Sequence, residues 1–293
     1  MASRSKRRSG SPPDSQAGRS RAEPGRGPIA WPRGLAPLPP PPGFVERAAS
    51  IGVEFDGGDL ERLGASLALL LAANETANLT AIRDPVEAWS KILLDSLALF
   101  PVLAEVEPAG ERRRVLDLGS GGGVPGIPLA VCMPDTEFTL LDATAKKCAF
   151  LEHAAGELGL ENVRVVCARA EEAGQDRGRK VDRAGASWRE GALRDAFDAV
   201  TARGVGRLAM LVELAVPFAR VGGVCVLTKG ERAGEELDEA RQALHLLHAA
   251  HAGTVATPTG QLVVIEKLRP TPRAYPRAVG EPKRHPLGVD GAR

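Results

Sequence analysis

Strand and helix signals alternate beyond Arg114, and this alternation predicts an α/β protein with a mostly parallel sheet covered by helices on both faces. Three observations carry the prediction. Val115-Leu-Asp-Leu118 is a short apolar strand that runs into a turn of small residues, Gly119-Ser-Gly-Gly-Gly123, and then into a helix start at Pro125. Phe138-Thr-Leu-Leu-Asp142 is a second apolar strand, ending in an acid about one β–α unit later. Further apolar runs near 162–167, 197–202, 223–228 and 262–267 are separated by helical periods near 145–159, 207–220 and 233–250.

The elements follow in chain order. Residues 1–43 are rich in Arg, Ser, Pro and Gly and end in Pro39-Pro-Pro-Pro42, so they are expected to form a disordered basic extension. Residues 44–110 turn helical: 59–71 and 85–97 repeat apolar residues every three or four positions, and Asp84-Pro85 is an N-cap followed by Pro at N1. They form an N-terminal helical cap. Residues 111–268 hold the sheet, with helices near 125–132 and at the sites above. Gly222-Gly223 is expected to stop the third of these helices. The segment 173–195 is charged and without period, as in a surface insertion. Gly260-Gln-Leu-Val-Val-Ile-Glu-Lys-Leu268 is expected to close the sheet antiparallel after a turn at Pro258-Thr-Gly260. Residues 269–293 form a basic, Pro-rich tail.

The glycine turn is shaped for a nucleoside-bearing ligand. Gly119, Gly121 and Gly123 allow positive φ and let a ligand approach bare backbone, and the helix behind them offers unpaired N–H groups. Asp-x-Gly-x-Gly-x-Gly suits S-adenosylmethionine (SAM), with Asp117 matched to its amino group. Residues 121–126 also satisfy Gly-x-Gly-x-x-Gly, the dinucleotide fingerprint, so an NAD(P)-dependent oxidoreductase stays open. Asp117 at the strand end and the closing Val-Pro-Gly favour SAM. Asp142 fits ribose hydroxyls in either class.

Composition bounds the rest. Four cysteines, Cys132, Cys148, Cys167 and Cys225, form no C-x-x-C pair, so zinc is not expected and a reducing compartment, the cytoplasm, is. His245, His248 and His251 lie on or just after one predicted helix, and His245 and His248 would share a face with no third ligand, so no metal is expected. No apolar run is long enough for a membrane span. The net charge of +1 conceals segregation: residues 1–43 carry eight basic against two acidic residues, and 267–293 carry seven against two. The ends, not the acidic body, are matched to a polyanion. Aromatic content of 4% argues against a base-stacking platform.

Several ordered segments together resemble one family, the bacterial 16S rRNA guanine-N7 methyltransferase RsmG, or GidB. They are Asn78-Leu-Thr-Ala-Ile-Arg-Asp-Pro85, Leu93-Leu-Asp-Ser-Leu97, Asp117 to Leu129, Leu140-Leu-Asp142 with Lys146-Lys147, Arg169-Ala-Glu-Glu172, Phe197 to Arg203, Leu227-Thr-Lys-Gly230 and Thr271-Pro-Arg-Ala-Tyr-Pro-Arg277. The resemblance spans about Phe44 to Leu287 and implies a seven-strand Rossmann-like sheet of the SAM-dependent methyltransferase kind. It implies that SAM is held by Gly119, Val124, Ala170, Glu171 and Arg203, and that the substrate is a guanine N7 in 16S rRNA of the small ribosomal subunit. Two features depart from it. Ile92 stands where family members usually have His, and residues 1–43 have no counterpart. A non-catalytic ribosome assembly factor with a retained SAM pocket is the reading of a different class.

Guanine N7 carries a lone pair and no proton, so its methylation needs alignment rather than a general base. Arg203 and Lys229 follow strands at the ligand-binding edge and are candidates for positioning RNA, with structural ion pairs as the alternative. Lys146, Lys147 and the tail residues Arg269, Arg273, Tyr275, Arg277, Lys283 and Arg284 are candidates for phosphate contact, and a tail wrapped on the domain competes with that role. The protein is expected to act as a monomer.

Overall fold

Seven strands form one sheet in the order β3-β2-β1-β6-β7-β9-β8. They are β1 (Arg113–Leu118), β2 (Thr136–Asp142), β3 (Val163–Cys167), β6 (Phe197–Arg203), β7 (Ala219–Lys229), β8 (Ala249–Thr257) and β9 (Gly260–Lys267). Pairing is parallel from β3 through β7, while β9 runs antiparallel to both β7 and β8. The computed structural model describes residues 30–175, 179–181, 187–189 and 192–288. The disorder expected for residues 1–29 and much of the expected insertion lie outside them. Of that insertion, α8 (Ala170–Gln175) and two short paired strands, β4 (Arg179–Val181) and β5 (Ser187–Arg189), are described.

Alternate residues of each strand feed two cores, which is why the strands read as continuous apolar runs. Val115, Phe138, Leu140, Ala199, Val226 and Leu262 face one core; their neighbours Leu116, Leu141, Val200, Leu227 and Val263 face the other. The first core is closed by α6 (Gly126–Cys132), α7 (Ala145–Glu157) and the N-terminal helices. These are α1 (Phe44–Ser50), α2 (Asp59–Ala77), α3 (Pro85–Ala88), a π-helical stretch (Trp89–Leu94), α4 (Asp95–Leu97) and α5 (Phe100–Ala104). Phe44, Trp89, Leu93 and Leu97 are fully buried in that core, so these helices share the sheet's interior rather than forming a separate lobe. The second core is closed by α9 (Leu208–Ala215), α10 (Ala233–Glu239) and α11 (Arg241–Leu247). A last turn of helix, α12 (Glu281–Arg284), lies in the tail.

Four expectations are corrected. Residues 31–43 are not a free extension: the Trp31 ring meets Phe150 edge-on at 5.6 Å, and Leu38 N–H donates to Gly64 O at 3.2 Å. A Cβ on Gly64 would collide with the Leu38 carbonyl oxygen, so glycine admits the segment. Gly222-Gly223 lie inside β7, where the register with β6 shifts. A Cβ on Gly223 would meet the carbonyls of Asp198 and Phe197 at 2.9 and 3.0 Å. The helix expected at 233–250 breaks at Ala240 and ends at Leu247, with His248 in the left-handed conformation. Residues 249–257 are therefore an edge strand, and His251 is not on the helix that carries His245.

Candidate functional site

The strand order reverses between β1 and β6, and open α/β sheets bind ligands at such a point, outside the carboxyl ends of the strands. A cavity of about 840 Å³ lies there. Its walls come from Leu118-Gly119, Leu141 to Ala143, Ala168 to Glu171, Gly204 to Arg207 with Met210 and Leu214, and the tail residues Val279, Gly280, Lys283 and Pro286.

The glycine turn forms the floor. Gly119 has φ +73°, and a Cβ there would stand 3.2 Å from Val205 Cγ2. Its N–H donates to Leu141 O at 2.8 Å, which ties the turn to the end of β2. Asp142 lines the cavity from that strand end; its carboxylate accepts from Gly121 N–H at 3.0 Å and from Thr144 N–H at 2.8 Å. One acid thus fixes two loops and keeps lone pairs for a ligand. Ala170 and Glu171 open α8 on the adjacent wall, where Glu171 Oε1 accepts from Gly280 N–H at 2.9 Å.

Other expected site residues lie behind this surface. Asp117 is fully buried: Gly126 N–H donates to its Oδ2 at 3.1 Å and the Thr201 hydroxyl to its Oδ1 at 3.1 Å. Burial pushes its carboxyl up to about 6, with those hydrogen bonds opposing. It ties the end of β1 to the start of α6 and lies behind the residues that line the cavity. Gly121 and Gly123 have φ +57° and +84°; neither lines the cavity, and Gly123 packs on Ile127 and Leu151. Val124 packs against the first core rather than the cavity.

Arg203 and Lys229 are both engaged by protein groups. Arg203 pairs with Asp95 at 3.2 Å and donates to the carbonyls of Lys91 and Ile92 in the π-helical stretch. That stretch leaves carbonyls outside the regular ladder, and Arg203 satisfies them. Burial lowers the Arg203 pKa, against the pull of Asp95 and Asp117. Ile92 is buried, so apolar packing stands where the family's His would be. The Lys229 ammonium donates to Gly206 O at 2.6 Å and pairs with Glu236 at 2.6 Å, with 8% of its side chain exposed. These contacts are those of the structural ion pair, the alternative to a role in positioning RNA.

The tail is docked on the domain. Glu213, fully buried, receives Arg277 through Nε at 2.9 Å, Nη2 at 2.7 Å and the backbone N–H at 2.9 Å. Buried Arg194 donates to Gly174, Thr271 and Tyr275 carbonyls, each at 2.7 Å. Tyr275 packs on the second core. Lys146 donates to Thr76 O, and Lys147 sits 3.8 Å from Asp142. Sequence reasoning missed the tail's part in the cavity wall and the Gly204–Arg207 turn; Gly204 and Gly206, just past the strand, were the available signal.

Among the described residues no group of three or more His, Cys, Asp or Glu stands together as metal ligands do, and no helix is long and apolar enough to cross a membrane. The model of the family described as rRNA small subunit methyltransferase G (GidB) matches residues 59–263. A protein of Sorangium cellulosum named ribosomal RNA small subunit methyltransferase G is 49% identical over 86% of this chain and 97% of its own. Proteins of the same name from Brevibacillus brevis and Moorella thermoacetica are each 36% identical, over 83% and 80% of this chain and 98% and 93% of theirs. Among solved structures, a putative O-methyltransferase from Klebsiella pneumoniae aligns at a TM-score of 0.47 and 14% identity, over 78% of this chain and 97% of that one. The family model spans more than half of the chain and these relatives match most of it: this chain belongs to the rRNA small subunit methyltransferase G family.

Proposed function

We propose that the protein transfers the methyl group of SAM to N7 of a guanine in the 16S rRNA of the small ribosomal subunit. The observation that carries this is the cavity itself: a glycine turn and Asp142 on adjacent parallel strands face about 840 Å³ of space, in a chain of this family. The residues fit the cofactor. Bare backbone at Gly119 admits close approach, Asp142 and Glu171 offer acceptors, and Leu118, Leu141, Ala143 and Ala168 supply an apolar lining for a base. When bound, SAM supplies an electrophilic methyl group on a sulfonium.

The chain's own work is positioning. Gly119, Asp142, Ala170 and Glu171 hold the cofactor, while Asp117, Gly121, Gly123, Val124 and Arg203 hold the walls that hold it. No side chain has to remove a proton from N7, so alignment and fixed dipoles suffice. Action as a monomer in the cytoplasm, on ribosomal RNA, belongs to the same reading. Residues 1–30 remain a basic extension suited to a polyanion.

Titration calorimetry with SAM and with NADH tests the cofactor. Saturable binding of SAM alone supports the reading, whereas binding of NADH alone would replace it with the oxidoreductase.

A further inference from the structure

The Gly204–Arg207 turn forms the cavity wall on the β6 side of the glycine turn, across β1 from Asp142. If Asp142 and Ala170-Glu171 hold the nucleoside, this wall is left for the reacting end of the cofactor and the acceptor base. This placement rests on the proposed methyl transfer. The turn has little regular structure: Gly204 and Gly206 have φ +68° and +109°, and Val205 lies against Gly119. Two side chains from outside it fix its far end. Lys229 donates to Gly206 O at 2.6 Å and pairs with Glu236 Oε2 at 2.6 Å. The same Glu236 oxygen accepts from Leu208 N–H at 2.7 Å, the first residue of α9.

We infer that Lys229 and Glu236 are positioning residues for the acceptor side of the site, acting as a clamp that sets the Gly204–Arg207 turn against the glycine turn. The Lys229 side chain is almost buried, and both its partners belong to the protein. A direct phosphate contact would require it to leave a carboxylate and a carbonyl. A lysine held by a glutamate and a carbonyl is not free for a polyanion. The clamp explains this pairing, because among the described residues the turn has no other side-chain anchor between Arg203 and the start of α9 except the Arg207–Glu239 ion pair at its exposed edge.

The test compares Lys229→Met, Glu236→Gln and the double variant, each first checked for a cooperative melt. Four quantities are measured: SAM affinity, kcat and KM on unmethylated small subunits, the salt dependence of KM, and hydrogen exchange of the Leu208 amide. The clamp predicts that both single variants lose roughly ten-fold in kcat, and that the double variant is no slower than the slower single one. SAM affinity should stay within about three-fold, Leu208 should exchange about ten-fold faster in both singles, and the salt slope should not change. A salt slope reduced by about one in Lys229→Met, with Glu236→Gln like wild type, would overturn the clamp in favour of a phosphate contact. Wild-type kcat and Leu208 protection in both variants would overturn it outright. If wild type itself transferred no methyl group to the subunit, the proposed function would fail, and Leu208 exchange would still decide for or against the clamp.

Discussion

Asp117 and Gly126 face each other across the glycine turn, with the Gly126 N–H donating to a carboxylate oxygen 3.1 Å away that no water reaches. The acid that ends β1 thus fastens the start of α6, and a Cβ on Gly126 would stand 2.8 Å from that oxygen. Burial raises the Asp117 carboxyl to about 6. Between its ordinary value and that one, the folded chain binds more proton than the unfolded chain, so ionisation costs stability as pH rises through this window. The shift amounts to roughly 3 kcal/mol. Asp117→Asn keeps an acceptor for Gly126 and removes the ionisation. Denaturant unfolding from pH 4 to 7 should show the variant gaining on wild type as pH rises, with the difference levelling off above pH 6. A constant difference would contradict the burial argument.

Gly119→Ala places a methyl group at φ +73° and 3.2 Å from Val205. The left-handed conformation costs an alanine about 1–2 kcal/mol, and the added carbon intrudes on the cavity floor. SAM affinity should fall by at least about ten-fold, read by calorimetry on a protein that still melts cooperatively. Unchanged affinity would remove Gly119 from the cofactor's surroundings.

Arg277 holds the tail through Glu213, which is fully buried, so the two partners are not equivalent. Arg277→Ala strands a buried carboxylate and should destabilise the protein by about 3 kcal/mol in denaturant unfolding. Glu213→Gln leaves a neutral acceptor and should cost less. Because Val279, Gly280, Lys283 and Pro286 belong to the cavity wall, both variants should also weaken SAM binding. Full stability of Arg277→Ala would make the tail a detachable strand and return it to the RNA-binding role.

The cysteines should differ sharply in reactivity. Burial pushes the thiols of Cys132, Cys148 and Cys225 up to about 12, whereas Cys167 is exposed at the end of β3. Iodoacetamide at neutral pH, followed by peptide mapping, should label Cys167 first by a wide margin. Labelling of Cys225 at a similar rate would mean that the core around β7 opens readily.

The legible parts of this protein are those written within a few consecutive residues. The turn from Asp117 to Gly126 announces itself because backbone geometry there demands glycine, and Asp142 does so because it ends an apolar run. The central strands read as continuous apolar runs because each feeds two cores. What the sequence leaves open depends on partners in other elements of the chain. It does not decide between RNA contact and an ion pair for Lys229, because Gly206 lies in another turn and Glu236 on α10. It does not decide between a basic arm and a docked tail, because nothing near the tail in sequence reveals Glu213. The strand at 249–257 escaped notice because Ala, His, Gly and Thr at an exposed edge carry little hydrophobic alternation. Trp31 was assigned to the extension because proline-rich surroundings hide a single anchoring aromatic.

The most direct measurement uses labelled SAM with small ribosomal subunits lacking the methyl group, followed by reduction and aniline cleavage, which breaks RNA at 7-methylguanosine. The account predicts incorporation of label into 16S rRNA and one cleavage, at a single guanine. Label transferred without cleavage would contradict the N7 position. SAM bound without any transfer would contradict the enzyme and leave an assembly factor that keeps the pocket.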